Sequence, residues 1–190
     1  MSERLANRVS LWLNRCEVIT EEELELYAYA IQVCITTVSP LIMILCISGL
    51  LGHIPEGILL VLPFLTVRKY SGGYHAKTAL RCFICSIILC VTYLLAAISL
   101  SNGLAIRLVL GLACITLMLL SPVDSVNRKL SDAECLRFRR KSRGITIFYL
   151  MIYTVLSVMH YHTYAVCIAL GIILAASLQL PCIFQKKENR

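Results

Sequence analysis

Six apolar runs limit what this chain can become. Ala28 to Leu51 is interrupted only by Gln32 and a few hydroxyl side chains. At about 1.5 Å per residue its 24 residues reach about 36 Å as a helix, enough to cross a hydrocarbon core of about 30 Å. Ile54 to Val67 reaches only about 21 Å, so it extends through Tyr70, thins the bilayer or is re-entrant. Cys82–Leu100, Leu104–Leu120, Ile145–Met159 and Tyr164–Phe184 follow. The connections alternate, short near 52–55, 101–103 and 160–163, long at 68–81 and 121–144. The composition agrees: 58% of residues are apolar and 15% charged, against about 45–50% and about 25% in soluble domains. This excludes a disordered chain, a disulfide-rich secreted module and most soluble enzymes. The ten cysteines lack a compact spacing framework. Those at 34, 46, 90, 114 and 167 sit in apolar runs and read as small buried hydrophobes.

The cations orient the runs. Arg4, Arg8 and Arg15 precede the first. Arg68, Lys69, Lys77 and Arg81 occupy the first long connection. Arg128, Lys129, Arg137, Arg139, Arg140, Lys141 and Arg143 occupy the second, and Lys186, Lys187 and Arg190 the tail. With six crossings and both termini cytoplasmic, all four segments lie inside and only Arg107 lies near the outer face. A four-span arrangement would put a basic segment outside. The expected fold class is therefore an all-α integral membrane protein. It is one polytopic domain over 1–190, with spans near 28–51, 54–70, 82–100, 104–120, 145–159 and 164–184.

No cleavable signal peptide is expected. Residues 1–27 read as a cytoplasmic, interfacial N-terminus. Leu5, Val9, Trp12 and Cys16 share one helical face, with Arg4, Arg8 and Arg15 as a flanking stripe. Thr20 with Glu23, and Ser131 with Glu134, have capping-box spacing. The first predicts a helix from about Glu21 into the first span. The second predicts a basic helix in the large inner loop, leading into the fifth span.

Chemistry points to the loop 68–81. Gly72-Gly73 breaks a helix there, His75 follows, and Thr78 as N-cap would put Cys82 in the first turns of the next helix. A helix N-terminus, Arg81 and Lys77, and an imidazole would each favour a thiolate, while apolar burial would oppose it. In one straight helix His75 and Cys82 would be about 10.5 Å apart along the axis, too far for a hydrogen bond. A Cys–His pair therefore needs the chain to fold back near 76–78, with sulfur and ring nitrogen about 3–5 Å apart. The plainer reading is a loop histidine and a buried cysteine.

The element Gly72-Gly73, His75, six residues, then Cys82, with Arg68 and Tyr74, resembles the accessory gene regulator B (AgrB) family. So does Ser121-Pro122-Val123-Asp124-Ser125-Val126-Asn127-Arg128-Lys129 after the fourth run. The resemblance covers nearly the whole chain. It implies a cysteine endopeptidase of the bacterial cell membrane that acts in quorum sensing. Such an enzyme removes the C-terminal part of a short, AgrD-like precursor peptide and holds the remainder as a thioester, which then closes into the ring of the autoinducing peptide. By motif match Cys82 is the nucleophile and His75 its base. Arg68 and Gly73, with Gly72 beside them, match supporting positions, and Arg128 and Lys129 match a basic pair. A homodimer is implied by the resemblance alone.

Other features have plainer readings. Cys85 forms C-x2-C with Cys82, but no second ligand pair accompanies it, and it reads as packing. His53, His160 and His162 read as loop residues at outer connections. Asp124 could orient His75, or serve as a helix cap or loop ion pair. The run 137–143 suits topology, anionic lipids and capture of an acidic peptide segment. No nucleic-acid motif, metal site or cofactor is expected. The competing class is a non-enzymatic small membrane transporter subunit or scaffold. Transporters usually carry intramembrane charges or paired broken helices, and these runs hold almost no ionisable side chains.

Overall fold

Short turns alternating with long connections link the helices two by two along the chain. A computed structural model describes residues 2–72, 79–123 and 131–180. Helices α1 (Ser2–Arg15), α2 (Leu24–Leu50), α3 (Ile54–Ser71), α4 (Ala79–Ser99), α5 (Leu104–Leu120), α6 (Asp132–Val158) and α7 (His162–Ser177) follow in order, with a 3-10 turn at Glu21–Glu23 and no strand among the described residues. Tight turns join α2 to α3, α4 to α5 and α6 to α7. The Tyr153 hydroxyl donates to Asn102 Oδ1 at 2.7 Å and the Asn102 amide donates to Ser157 Oγ at 2.9 Å. Glu56 lines one cavity with His160 to Tyr164, so these turns gather at one end of the bundle. The opposite end holds the last turns of α3, α5 and α7 and the basic part of α6.

Helix α7 is the core. It is apolar on every side, the pattern of a helix enclosed by others. Ala165 to Ile172 and Leu174 to Ala176 are all buried, and α3, α4, α5 and α6 pack around them. The closest approach is at Gly171, where a Cβ would run into the Leu60 carbonyl and the Pro63 ring of α3. Pro63 lacks an N–H, so it interrupts the hydrogen-bond ladder of α3. Nearby, the Thr66 hydroxyl donates to the Leu62 carbonyl at 2.7 Å and meets the Tyr149 hydroxyl of α6 at 3.1 Å.

Both capping motifs form. The Glu23 carboxylate accepts from the Thr20 N–H and hydroxyl, each at 3.0 Å. These bonds, the backbone one first, hold its carboxyl below the usual range. Ser131 caps α6: Glu134 N–H donates to its hydroxyl at 3.3 Å, and its own N–H donates to the Glu134 carboxylate at 3.1 Å. Helix α1 packs on α2 through buried Ala6 and Ser10, leaving Leu5 and Trp12 outward. The two small residues let the backbones approach; the large apolar face is left for an interface.

The capped basic helix leads into the fifth run, as expected, in one continuous helix from Asp132 to Val158. Helix α7 is described from His162 to Ser177, and residues 181–184 of the sixth run lie outside the described residues. Cys34, Cys46 and Cys85 face outward rather than into the core; only Cys90, Cys114 and Cys167 are buried among the described thiols. Each outward thiol lies on a helix face that no neighbouring helix covers. Among the described residues no helix is long and apolar enough to cross a membrane. Helices α5 and α7 have 17 and 16 residues, and α3 carries Glu56, Arg68 and Lys69 within its 18. The outer faces are nevertheless apolar. Leu108, Leu112, Ile115 and Leu119 of α5 are 56–69% exposed, and Ile147, Met151 and Val155 of α6 also point away from the bundle.

Candidate functional site

The loop end of the bundle is tied by a buried polar joint. Helix α3 stops at Gly72, whose N–H donates to the Arg68 carbonyl at 3.1 Å. Gly72 has φ +75°, in the left-handed region that L side chains avoid, and a Cβ there would strike the Val123 carbonyl. The Ser71 carbonyl accepts the Val123 N–H at 2.9 Å and the Gln179 side-chain amide at 2.8 Å. The same amide donates to Ser121 Oγ at 2.9 Å. Ser71, Ser121 and Gln179 are fully buried. The two long connections therefore start from one point. Gly73 is the next residue on one strand of chain and Asp124 the next on the other.

Basic side chains of α6 close over this joint. Helix α5 ends at Leu120 with Ser121 as its cap, before Pro122, and its last carbonyls lack partners within the helix. Arg139 Nε donates to the Ser121 carbonyl at 3.2 Å and Arg143 Nε to the Met118 carbonyl at 3.0 Å. Cations there also meet the negative end of the helix dipole. Tyr70 lies edge-on to Phe138 of α6 at 5.9 Å, with Lys141 over its ring at 5.3 Å. Arg68 lies over the Phe64 ring at 5.6 Å. The end that carries the candidate chemistry is thus cationic and fixed to the core.

The structure describes only some of the residues singled out above. Arg68 and Gly72 sit at the joint. Cys82 is the fourth residue of α4 as described, at its N-terminal end; its side chain lies outside the described residues. Gly73, His75, Asp124, Arg128 and Lys129 also lie outside them. Cys85 faces outward one turn further along α4. At the opposite end, His53 pairs with Glu56 at 3.4 Å. His160 and His162 lie 5.5 Å apart by ring centroids. They share with Glu56 a shallow cavity of about 230 Å³. Among the described residues no three His, Cys, Asp or Glu are grouped to hold a metal ion.

Gln179 is the functional candidate that sequence reasoning missed. It was absorbed into an apolar run expected to span 164–184. The available signal was a lone amide near the end of that run, where a burial cost would demand a partner.

A family model described as Accessory gene regulator B matches residues 2–181. The chain is similar to Putative AgrB-like protein 1 of Clostridium perfringens (strain 13 / Type A), 30% identical over 71 residues, 37% of this chain and 38% of that protein. It is also similar to Accessory gene regulator protein B of Staphylococcus carnosus, 29% identical over 129 residues, 67% of this chain and 65% of that one. For Accessory gene regulator protein B of Staphylococcus saprophyticus the figures are 28% over 130 residues, 67% and 66%. The chain thus spans between about two fifths and two thirds of the length of these relatives. No solved structure matches.

Proposed function

The chain belongs to the accessory gene regulator B family, and on that premise we propose that it is a membrane cysteine endopeptidase. Its substrate would be the short, AgrD-like precursor peptide of a quorum-sensing system. The observation that carries the reading is the buried joint. By joining Ser71–Gly72 to Ser121–Val123, it brings the roots of the two motif-bearing loops together at one cationic end.

The chemistry assigned to this chain follows from its motif. His75 takes the proton of the Cys82 thiol, and the thiolate attacks a peptide carbonyl. The tetrahedral intermediate collapses with breakage of the C–N bond. The leaving amine takes the proton from His75, and an acyl thioester remains on Cys82. Attack on that thioester by a thiol of the peptide exchanges one thioester for another, so ring closure needs no ATP. Hydrolysis competes, and a site at the membrane surface that limits water would suppress it. Arg139, Lys141 and Arg143 reach the joint from α6, where with the neighbouring Arg140 they would attract an acidic peptide segment and anionic lipid.

The membrane setting is part of the proposal. The exposed apolar faces of α5 and α6 are continuous helical stripes, a surface that a soluble monomer rarely leaves in water. Helices of 16 to 27 residues reach about 24–40 Å, within range of a bilayer that thins to meet the shorter ones. The basic segments support a topology with both termini and both long loops in the cytoplasm. The homodimer stays an expectation of the family.

Mass spectrometry of a candidate precursor co-expressed with the chain tests the reading. The wild-type chain should release the C-terminal fragment and carry a hydroxylamine-labile acyl adduct on Cys82. Normal cleavage by the Cys82→Ser chain would reject it and favour a non-enzymatic transporter subunit or scaffold.

A further inference from the structure

Gln179 is an odd residue to find at the end of the most enclosed helix. It is fully buried, two residues past the last helical position of α7. Its amide donates to the Ser71 carbonyl at 2.8 Å and to Ser121 Oγ at 2.9 Å, partners 108 and 58 residues away in the chain. Its Oε1 is buried as well and accepts no hydrogen bond among the described residues. A buried amide with an unmet acceptor is costly, and Met or Leu would fill similar space without that cost. What an apolar side chain could not do is hold Ser71 to Ser121.

The place of this bond in the chain gives it a consequence. Ser71 is the last residue of α3 and Gly72 its cap, and the chain from Gly72 leads to His75 and Cys82. Ser121 is the cap of α5, and the chain from Val123 leads to Asp124, Arg128 and Lys129. Besides Gln179, the Val123 N–H bond to the Ser71 carbonyl is the other direct hydrogen bond between these two roots among the described residues.

We infer that Gln179 is a positioning residue for the Cys82–His75 pair, acting by fixing the roots of both loops against each other. The inference rests on the peptidase reading. A thiolate is favoured by nearby positive charge and by a hydrogen-bonded imidazole, and both effects fall off with distance. If the roots shift, the loop carrying His75 leaves from a different place and Cys82 loses thiolate character. A residue that only packs would change yield and melting temperature and leave the reactivity of Cys82 as it was.

The experiment follows iodoacetamide alkylation of the full chain in lipid–detergent micelles across a pH series, with Cys82 and Cys85 resolved by peptide mass spectrometry. Wild-type Cys82 should react with a midpoint below that of an ordinary thiol, about 8.5. Gln179→Met removes both bonds at nearly constant volume. It should move the Cys82 midpoint up by about one unit, an about tenfold loss of alkylation rate near neutral pH, and leave Cys85 where it was. Ser121→Ala removes one of the two bonds and should move Cys82 the same way by less; it decides the matter if Gln179→Met yields no protein. An unmoved Cys82 profile in the variants recovered overturns the inference while the peptidase reading stands. A wild-type Cys82 that titrates like an ordinary thiol overturns both.

Discussion

Two glycines use the same missing atom for different ends. At Gly171 the absence of a Cβ lets α7 meet the Leu60 carbonyl and the Pro63 ring. Gly171→Val should therefore lower stability by about 1–3 kcal/mol through overpacking. A thermal melt in detergent checks it, and an unchanged melting temperature would mean that α3 and α7 are not this close. At Gly72 both φ +75° and the Val123 carbonyl exclude a side chain. Gly72→Ala should impair precursor cleavage well beyond its effect on melting, because it disturbs the point from which the loop to His75 departs. The two cysteines of the C-x2-C pair should separate as sharply. Cys82→Ser and His75→Ala are expected to abolish cleavage, since a serine hydroxyl is a weak nucleophile without a well-formed base. Cys85→Ser, on an outward face, should leave most of it.

Helix ends carry predictions of their own. The Ser131 cap satisfies an amide at the start of α6, the helix that places Arg139 and Arg143 over the joint. Ser131→Ala should cost about 1 kcal/mol and speed hydrogen exchange in the first turn of α6. If those amides exchange at the wild-type rate, the cap contributes nothing to the helix. The Thr20–Glu23 box before α2 is acid-sensitive. Its carboxyl is held below the ordinary value in the folded chain, first by the Thr20 N–H and then by the Thr20 hydroxyl. Its contribution is thus complete above the ordinary carboxylate range and fades as pH falls through the lowered value. Protection of the Thr20 amide, corrected for the pH dependence of intrinsic exchange, should fall with acid across that window in the wild type and lose that dependence in Glu23→Gln.

The whole molecule inverts the usual arrangement of a soluble protein. A fully apolar helix lies at the centre, and further apolar faces lie outside it. In lipid such faces cost nothing, and helices associate by close packing and polar contacts rather than by escape from water. Gly171 against α3 and Gln179 across three segments are contacts of those two kinds. Leu112→Arg, in the middle of the outer stripe of α5, should then oppose insertion by about 2.5–3.5 kcal/mol and reduce the membrane-bound fraction. An unaltered membrane fraction would argue that this face is not in lipid. Single-cysteine labelling places the loops independently: residues near 77 and 139 should be protected from an impermeant reagent added outside. Their labelling there would reverse the orientation.

Much of this was legible in the chain itself. Apolar runs marked the elements as helical, because a helix must hide or immerse an apolar face wherever it sits. The Ser131–Glu134 and Thr20–Glu23 spacings marked where two helical segments begin, the second as a 3-10 turn leading into α2, since capping is local chemistry between neighbours. Gly72-Gly73, His75 and Cys82 marked the candidate chemistry by their motif. Which run would lie at the centre was not legible, as α5 and α7 are similarly apolar and only their packing partners set them apart. Nor was the joint. Ser71 and Gln179 are unremarkable polar residues, Ser121 stood out only as the first residue of a motif stretch, and a hydrogen bond across 108 residues leaves no mark on either neighbourhood. The tertiary fold alone brought them together, because a buried amide finds its donors and acceptors in space rather than along the chain.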